Sequence, residues 1–574
     1  MKLPQGLLLG TATILTLVGA GAASQASAQR VQDLSQELED VFESYRWGDA
    51  RWGALVVSLD TGDTLFAMEP HEPLAPASNV KLLTSAAALH VLGPDYRFRT
   101  WVLGDGEVED GVLLGDLVLY GTGDPGISDR FYRTKDEVFH RLADQLVEAG
   151  IHTVAGDLIA DASYFDGPLR DADWDRRDLN EHFTAGISAL SYNENVVSFR
   201  IQPGAPGEPP IVETVPPHSA LVVENSAETV TGTARPRLAI LRDDPLDPVR
   251  VVGRIRADAR DVWRQMTVAV PADFVAASFR ATLEERGIEI RGENRSVLRA
   301  DFSPLPRLTA PALGRRGPTI LATHVSRPLS DYLHVVNKRS HNLFAELIFR
   351  TVGRVMEGAG SPEAAGRGVL RTLHALGVDT TGVIQRDGSG LSGENRVPAR
   401  AFVQTVDGMS QGPLWSEFWA SLPTAGTRYE LGRMYRTAAA GNLRAKTGTI
   451  RGVSALSGMV RSRDGERLAF SLMVNDSPSQ TRAKRAENQI GIRLAEFRRA
   501  PGEIPAVVVA EAEREEGGST AFTDRHRVAR GENLSVIAQR YGVTVDDLLR
   551  VNPRLEPNRI VAGQWLELPQ RGGS

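Results

Sequence analysis

Ser78 stands three residues before Lys81 in Pro76-Ala77-Ser78-Asn79-Val80-Lys81, where an Ala- and Leu-rich stretch begins that reads as a helix. Residues three apart on a helix share a face, so the amine can reach the hydroxyl. The serine would also lie at the positive end of the helix dipole, among unpaired backbone N–H groups. A serine whose proton passes to a neighbouring amine is an activated nucleophile. Two further runs hold side chains suited to such a reaction, Ser340-His341-Asn342 and Lys446-Thr447-Gly448-Thr449. Lysine usage sharpens the choice. Among 65 basic residues only Lys2, Lys81, Lys135, Lys338, Lys446 and Lys484 are lysine. Arginine keeps a surface charge but does not give up its proton, so positions that hold lysine are enriched in ones that need an amine.

These runs need elements to position them. Residues 31–45 read as a short helix. Residues 52–59 and 64–68 read as strands around the turn Asp60-Thr61-Gly62-Asp63, a hairpin leading into the Ser78 helix. From about 98 to 313 short β-like runs alternate with turns, with helical patterns only at 134–149 and 271–286; this reads as one or two inserted, mostly β domains. Residues 330–356 read as one continuous helix containing Ser340 and Asn342. Further helices are expected at 360–376, 398–411 and 480–498, and a loop at 387–392. Two apolar runs, 455–460 and 468–474, flank Asp464-Gly465 and predict a hairpin.

At 574 residues the chain is long enough for two to four domains. A net charge of −7 gives no sign of a nucleic-acid partner. The absence of cysteine excludes disulfides, thiolate metal sites and a lipobox. No His-Glu-x-x-His run or histidine cluster occurs, so no metal and no cofactor is expected. Lys2, the apolar run 7–20 and Ala26-Ser27-Ala28 before Gln29 read as a signal peptide over 1–28, a membrane anchor being the other reading. No later stretch is apolar and long enough to span a bilayer. Export to a periplasm or cell wall is expected.

Ser78-x-x-Lys81, Ser340-x-Asn342 and Lys446-Thr447-Gly448-Thr449, in this order, resemble the penicillin-recognising serine hydrolases. The first two motifs are 262 residues apart, far more than a compact β-lactamase needs. That insertion resembles the D-alanyl-D-alanine carboxypeptidase/endopeptidase family, the class C low-molecular-mass penicillin-binding proteins. Gly123-Asp124-Pro125, Ala345-Glu346 and Asp387-Gly388-Ser389-Gly390-Leu391-Ser392 support it, over roughly residues 30–498. The resemblance implies an α/β (α+β) penicillin-binding-protein/β-lactamase-like transpeptidase fold, built from 29–97 and 314–499, with the mostly β insertion at 98–313.

The same resemblance implies roles. Ser78 attacks the carbonyl between two D-alanines and Lys81 takes its proton, helped by burial and by neighbouring Lys446. Ser340 relays a proton to the leaving amine, and Asn342 holds the substrate amide or orients Lys81. Lys446 binds the substrate carboxylate with the Thr447 and Thr449 hydroxyls, and Gly448 lets the substrate lie against the strand edge. The N–H groups of Ser78 and Thr449 form the oxyanion hole. Asp124 binds an amine of the substrate's diamino acid; on its own chemistry an Asp before Pro is a turn residue. His341 reads as the variable middle residue of its motif. One departure stands out: the family's Ala-Gly-x-Asp-Gly-Thr-Leu run is here Ala425-Gly426-Thr427-Arg428-Tyr429-Glu430-Leu431. The implied partners are peptidoglycan stem peptides and, as covalent inhibitors, β-lactams. A serine β-lactamase or esterase on the same scaffold, and a non-catalytic wall-binding protein, are the alternative readings.

Residues 500–524 contain Pro, Gly and an acidic run and read as a linker. Beyond them, His526-x-Val528, Gly531-Glu532-Asn533-Leu534, Ile537-Ala538, Tyr541, Asn552-Pro553 and Gly563-Gln564-x-Leu566 resemble a LysM domain over 525–570. That implies a βααβ unit, with helices at 533–540 and 544–551, that binds N-acetylglucosamine-containing glycan such as peptidoglycan.

Overall fold

The structure, a computed structural model, describes residues 12–45, 47–232, 237–305 and 319–499, and near the C-terminus residues 525–528, 537, 548, 552 and 565–568. Two compact units result, Met1–Glu503 and Ile504–Ser574.

In the larger unit an antiparallel five-stranded sheet carries the Lys446-Thr447-Gly448-Thr449 run. Its strands are β1 (Arg51–Ser58), β2 (Thr64–Met68), β3 (Arg444–Ile450), β4 (Val453–Arg461) and β5 (Arg467–Asn475), in the order β3-β4-β5-β1-β2. Both hairpins read from turn chemistry are present, β1 with β2 and β4 with β5. Side chains alternate between the sheet's two faces. Leu468, Phe470, Leu472 and Val474 of β5 face α1 (Ala12–Glu43) and the C-terminal helix Gln480–Glu496, meeting Leu34, Leu38, Val41, Ile490 and Leu494. Ala469 and Met473 face the other way, toward α2 (Lys81–Leu92), α3 (Leu329–Lys338), α4 (Asn342–Glu357) and α5 (Ala399–Ser410). Helix α2 is buried from Lys81 through Leu89. A helix apolar all round belongs inside. Leu82, Leu83 and Leu89 are fully buried, each stabilising by about 1.5–3 kcal/mol, and so anchor the turn that bears Ser78.

The stretch read as one helix over 330–356 is two. Helix α3 ends at Lys338, α4 starts at Asn342, and Ser340 between them has φ +53°. A non-glycine residue in the left-handed region ends a helix. No Gly or Pro marks this break, which is why periodicity ran through it. Its effect is to lift the Ser340 hydroxyl out of a helix face.

Residues 98–313, read from the sequence as an insertion, form several sheets. The largest orders strands Asn294–Val297, Leu158–Asp161, Asp116–Gly121, Arg99–Asp105 and Thr319–Val325, so its last strand comes from beyond residue 313. Helices Glu137–Glu148 and Pro271–Glu285 pack in the same core. Leu343 and Leu347 of α4 belong to that core, so the insertion is seated on the helix that follows Ser340.

In the smaller unit Arg525–Arg527 pairs antiparallel with Trp565–Glu567, and Val528, Ile537, Leu548, Leu566 and Leu568 are buried. The linker lies outside the described residues, and of the two helices expected in this region only Ile537 and Leu548 are described, both helical.

Candidate active site

A short 3-10 turn, Ala77–Val80, precedes α2 and carries Ser78. A left-handed residue and two close approaches fix it. Ala77 has φ +47°. A methyl group on Gly390 would lie 2.0 Å from the Ala77 carbonyl oxygen, and one on Gly448 would lie 2.3 Å from that of Pro76. Only glycine allows either contact. The Ser78 turn is thus wedged between the 387–392 loop and β3, which is an edge strand of the sheet.

Lys81 is fully buried beneath this turn. Its Nζ donates to Ser78 Oγ (2.8 Å), Asn342 Oδ1 (2.8 Å) and the Ser389 carbonyl (2.5 Å). Lys446 is also fully buried, and its Nζ donates to Ser340 Oγ (3.0 Å) and the Thr447 carbonyl (2.8 Å). Asn342, the first residue of α4, uses its Nδ2 on the Phe183 carbonyl of the insertion, 2.8 Å away. The five side chains Ser78, Lys81, Ser340, Asn342 and Lys446 therefore lie in two hydrogen-bonded groups between α2, the α3–α4 break and β3. On β3, Gly448 is buried, Thr447 half-buried and Thr449 exposed.

Burial lowers Lys81 to about 7, while the nearby charges of Asp387 and Glu346 oppose the fall. Lys446 is lowered well below the lysine range by burial and then by the charge on Lys81. The sequence suggested that burial and Lys446 together would depress Lys81. In the structure burial does that work, and the acids behind Lys81 favour its charge. Glu346 is fully buried on α4 and accepts the Gly388 and Ser389 N–H groups. Burial raises it to about 8, with Asp387 and Asp171 adding to the rise. Asp387 accepts from Gly390 N, Ser392 N, Asn395 Nδ2 and, from the insertion, Trp174 Nε1. These two acids shape the loop whose Ser389 carbonyl holds Lys81.

Residues 34–497 match the D-Ala-D-Ala carboxypeptidase 3 (S13) family. The chain belongs to that family. Residues 526–569 match the LysM domain. Over 500 residues the chain is 35% identical to the D-alanyl-D-alanine carboxypeptidase of Actinomadura sp. (strain R39), covering 84% of this chain and 88% of the relative. It is 26% identical to D-alanyl-D-alanine carboxypeptidase DacB of Haemophilus influenzae, covering 78% and 88%. The fold superposes on penicillin binding protein 4 (dacB) of Haemophilus influenzae with a TM-score of 0.64, at 23% identity, over 81% of this chain and 98% of that one.

Two features singled out in this S13 family member's sequence have their own settings in the structure. Asp124 is not among the side chains at Ser78. It is 2% exposed, and its carboxylate accepts from Gly126 N (2.8 Å), Tyr332 OH (2.7 Å) and His324 Nε2 (3.1 Å). That is the turn role its own chemistry suggested, and it leaves the amine-binding role without support. In the departing run Glu430 turns inward, accepting from Thr424 N (2.7 Å) and pairing with Lys338 (3.0 Å). Arg428 lies over the Tyr429 ring at 5.4 Å, and the Tyr429 carbonyl accepts from Arg339. The replaced residues thus tie the rim to the end of α3, one residue from Ser340.

Sequence reasoning assigned no role to Glu346, Asp387, Trp174 or Phe183. Glu346 and Asp387 lay in runs that supported the resemblance, which was the available signal. Trp174 and Phe183 carried none, because their parts depend on contacts 213 and 159 residues distant.

Proposed function

We propose that the chain is an exported serine D-Ala-D-Ala carboxypeptidase that also cuts peptide cross-links, tethered to peptidoglycan by its LysM domain. The observation that carries this reading is a fully buried Lys81 amine, 2.8 Å from the Ser78 hydroxyl and lowered to about 7. An amine half-neutral near pH 7 is matched to abstract a hydroxyl proton.

The reaction runs as follows. The substrate peptide lies along the free edge of β3, where Gly448 leaves room, its terminal carboxylate meeting Lys446, Thr447 and Thr449. Ser78 Oγ attacks the penultimate D-Ala carbonyl as its proton passes to Lys81 Nζ. The N–H groups of Ser78 and Thr449 hold the oxyanion, an interaction worth about 3–4 kcal/mol. The intermediate collapses to an acyl ester on Ser78, and D-Ala leaves as its nitrogen takes the proton from Lys81 by way of the Ser340 hydroxyl. Asn342 orients Lys81 through Oδ1. A water, deprotonated by Lys81, then releases the acyl group. Residues 29–97 and 314–499 form the peptidase domain in this reading, with 98–313 inserted.

β-Lactams copy the substrate's reactive bond, and the related Haemophilus influenzae protein has been solved with one bound. Removal of a signal peptide over 1–28 places the chain in a periplasm or cell wall, in keeping with a wall-acting family. Release of D-Ala from a pentapeptide ending in D-Ala-D-Ala tests the reading. Stoichiometric release with a long-lived penicillin adduct supports it. Rapid penicillin hydrolysis without D-Ala release indicates a β-lactamase, and neither activity indicates a wall-binding protein.

A further inference from the structure

Ser340 holds a left-handed backbone, φ +53°, while its hydroxyl accepts from Lys446. Such a conformation persists in a non-glycine residue only where its surroundings enforce it. The two residues after it are both fastened to the insertion. Asn342 Nδ2 donates to the Phe183 carbonyl at 2.8 Å, and His341 Nε2 meets Glu194 Oε2 at 2.7 Å. His341 also stands edge-on to buried Phe344, ring centroids 4.7 Å apart.

Glu194 is itself built into place. Asn193, Glu194 and Asn195 have φ of 47°, 58° and 57°, three consecutive left-handed residues without a glycine. Asn195 is locked by bonds from its Nδ2 to the Gly186 carbonyl and Ser191 Oγ, and Asn193 takes a bond from Lys135 Nζ at 2.7 Å. Arg130 grips the same carboxylate, its Nε donating to Oε1 at 2.6 Å and its Nη2 to Oε2, the oxygen that meets His341, at 3.0 Å. Burial alone would raise this carboxyl, but His341 and Arg130 outweigh it and hold it well below the usual range, so it stands as an anion. A strained, fully braced turn whose product is one carboxylate aimed at His341 exceeds what a surface ion pair requires.

We propose that Glu194, held by Arg130, is a positioning residue for the peptidase reaction: through His341 it keeps Ser340 in the conformation that aims its hydroxyl at Lys446. The inserted domain then shares in catalysis at a distance, and this rests on the peptidase reading above. Glu194 touches no reacting atom, so its loss is felt in turnover more than in substrate binding.

The test uses the full-length chain and an acylated peptide ending in D-Ala-D-Ala. Glu194→Ala is expected to lower kcat by roughly 10- to 100-fold, as a small misplacement of a catalytic group does, with KM and the melting temperature little changed. Glu194→Gln, which keeps an oxygen for His341, recovers most of the rate. His341→Ala loses as much as Glu194→Ala, and the double variant loses no more than either, as expected of residues acting as one unit. A folded Glu194→Ala protein that keeps the parent's kcat overturns the proposal, as does a loss expressed in KM alone or full additivity in the double variant. Failure of the peptidase reading would look different, since the parent itself would neither release D-Ala nor label with penicillin.

Discussion

Gly448 faces Pro76 so closely that a single added methyl group would sit 2.3 Å from the Pro76 carbonyl oxygen and 3.0 Å from the Asn79 nitrogen. Both neighbours are backbone atoms, so neither can swing aside. The expected result of Gly448→Ala is a folded protein in which β3 and the Ser78 turn are pushed apart, with penicillin acylation slowed by about 100-fold or more. A stopped acylation time course measures it; labelling at the parent's rate would show that β3 and the Ser78 turn are not in this register.

Lys81 sets a pH dependence. It is lowered to about 7 by burial, and only its neutral form can take the Ser78 proton. The neutral fraction falls as pH drops through that value, so acylation should decline about tenfold per pH unit below it. Asp387 is the charge that most favours the protonated form of Lys81, so Asp387→Asn should move this acidic limb to lower pH. The same change puts an amide nitrogen where a carboxylate oxygen accepts from the loop or from Trp174, so the plateau rate should fall as well. Acylation rates measured from about pH 5 to 9 separate the two effects. A limb that moves to higher pH would contradict the charge assignment.

Lys446 predicts a trade of stability against activity. Burial and Lys81 lower it well below the ordinary 10.5, whereas the unfolded chain keeps its proton up to that value. The unfolded state therefore binds more protons between the two values, and stability rises with pH across that window. Lys446→Met, of similar length and without charge, should raise the melting temperature at neutral pH while abolishing D-Ala release. The advantage over the parent should shrink as pH climbs toward 10.5. A lower melting temperature at neutral pH would mean that the hydrogen bonds to Ser340 and Thr447 outweigh desolvation.

The LysM domain predicts a separation of binding from turnover. A chain ending at residue 499 should lose its sedimentation with insoluble peptidoglycan and keep its rate on a soluble pentapeptide. Its rate on insoluble wall should fall, because tethering acts through local concentration. Equal sedimentation of both chains would remove the tethering role.

Much of this site was legible because the chemistry is compact in sequence. Ser78 and Lys81 share one helical start, and Lys446 to Thr449 share one strand, so local rules placed them. The hairpins β1–β2 and β4–β5 followed from Asp60 to Asp63 and from Asp464-Gly465. The Ser340 break did not, since no Gly or Pro marks it and its conformation is enforced by tertiary contacts through His341 and Asn342. For the same reason Trp174, Phe183 and Glu194 were silent, each meaning something only against a residue more than a hundred positions away. The sequence named burial and Lys446 as what would lower Lys81 but could not show how completely Lys81 is buried. Complete burial is a property of packing that neither Lys81 nor its neighbours in the chain display.

The claim that Ser78 is the nucleophile is tested most directly by intact-mass measurement after incubation with a penicillin. The full-length parent should gain the mass of one penicillin per chain, with the adduct on the peptide containing Ser78. Ser78→Ala should gain none while melting like the parent. An adduct of equal yield on the folded Ser78→Ala protein, or a parent adduct mapping to any other residue, would contradict the account.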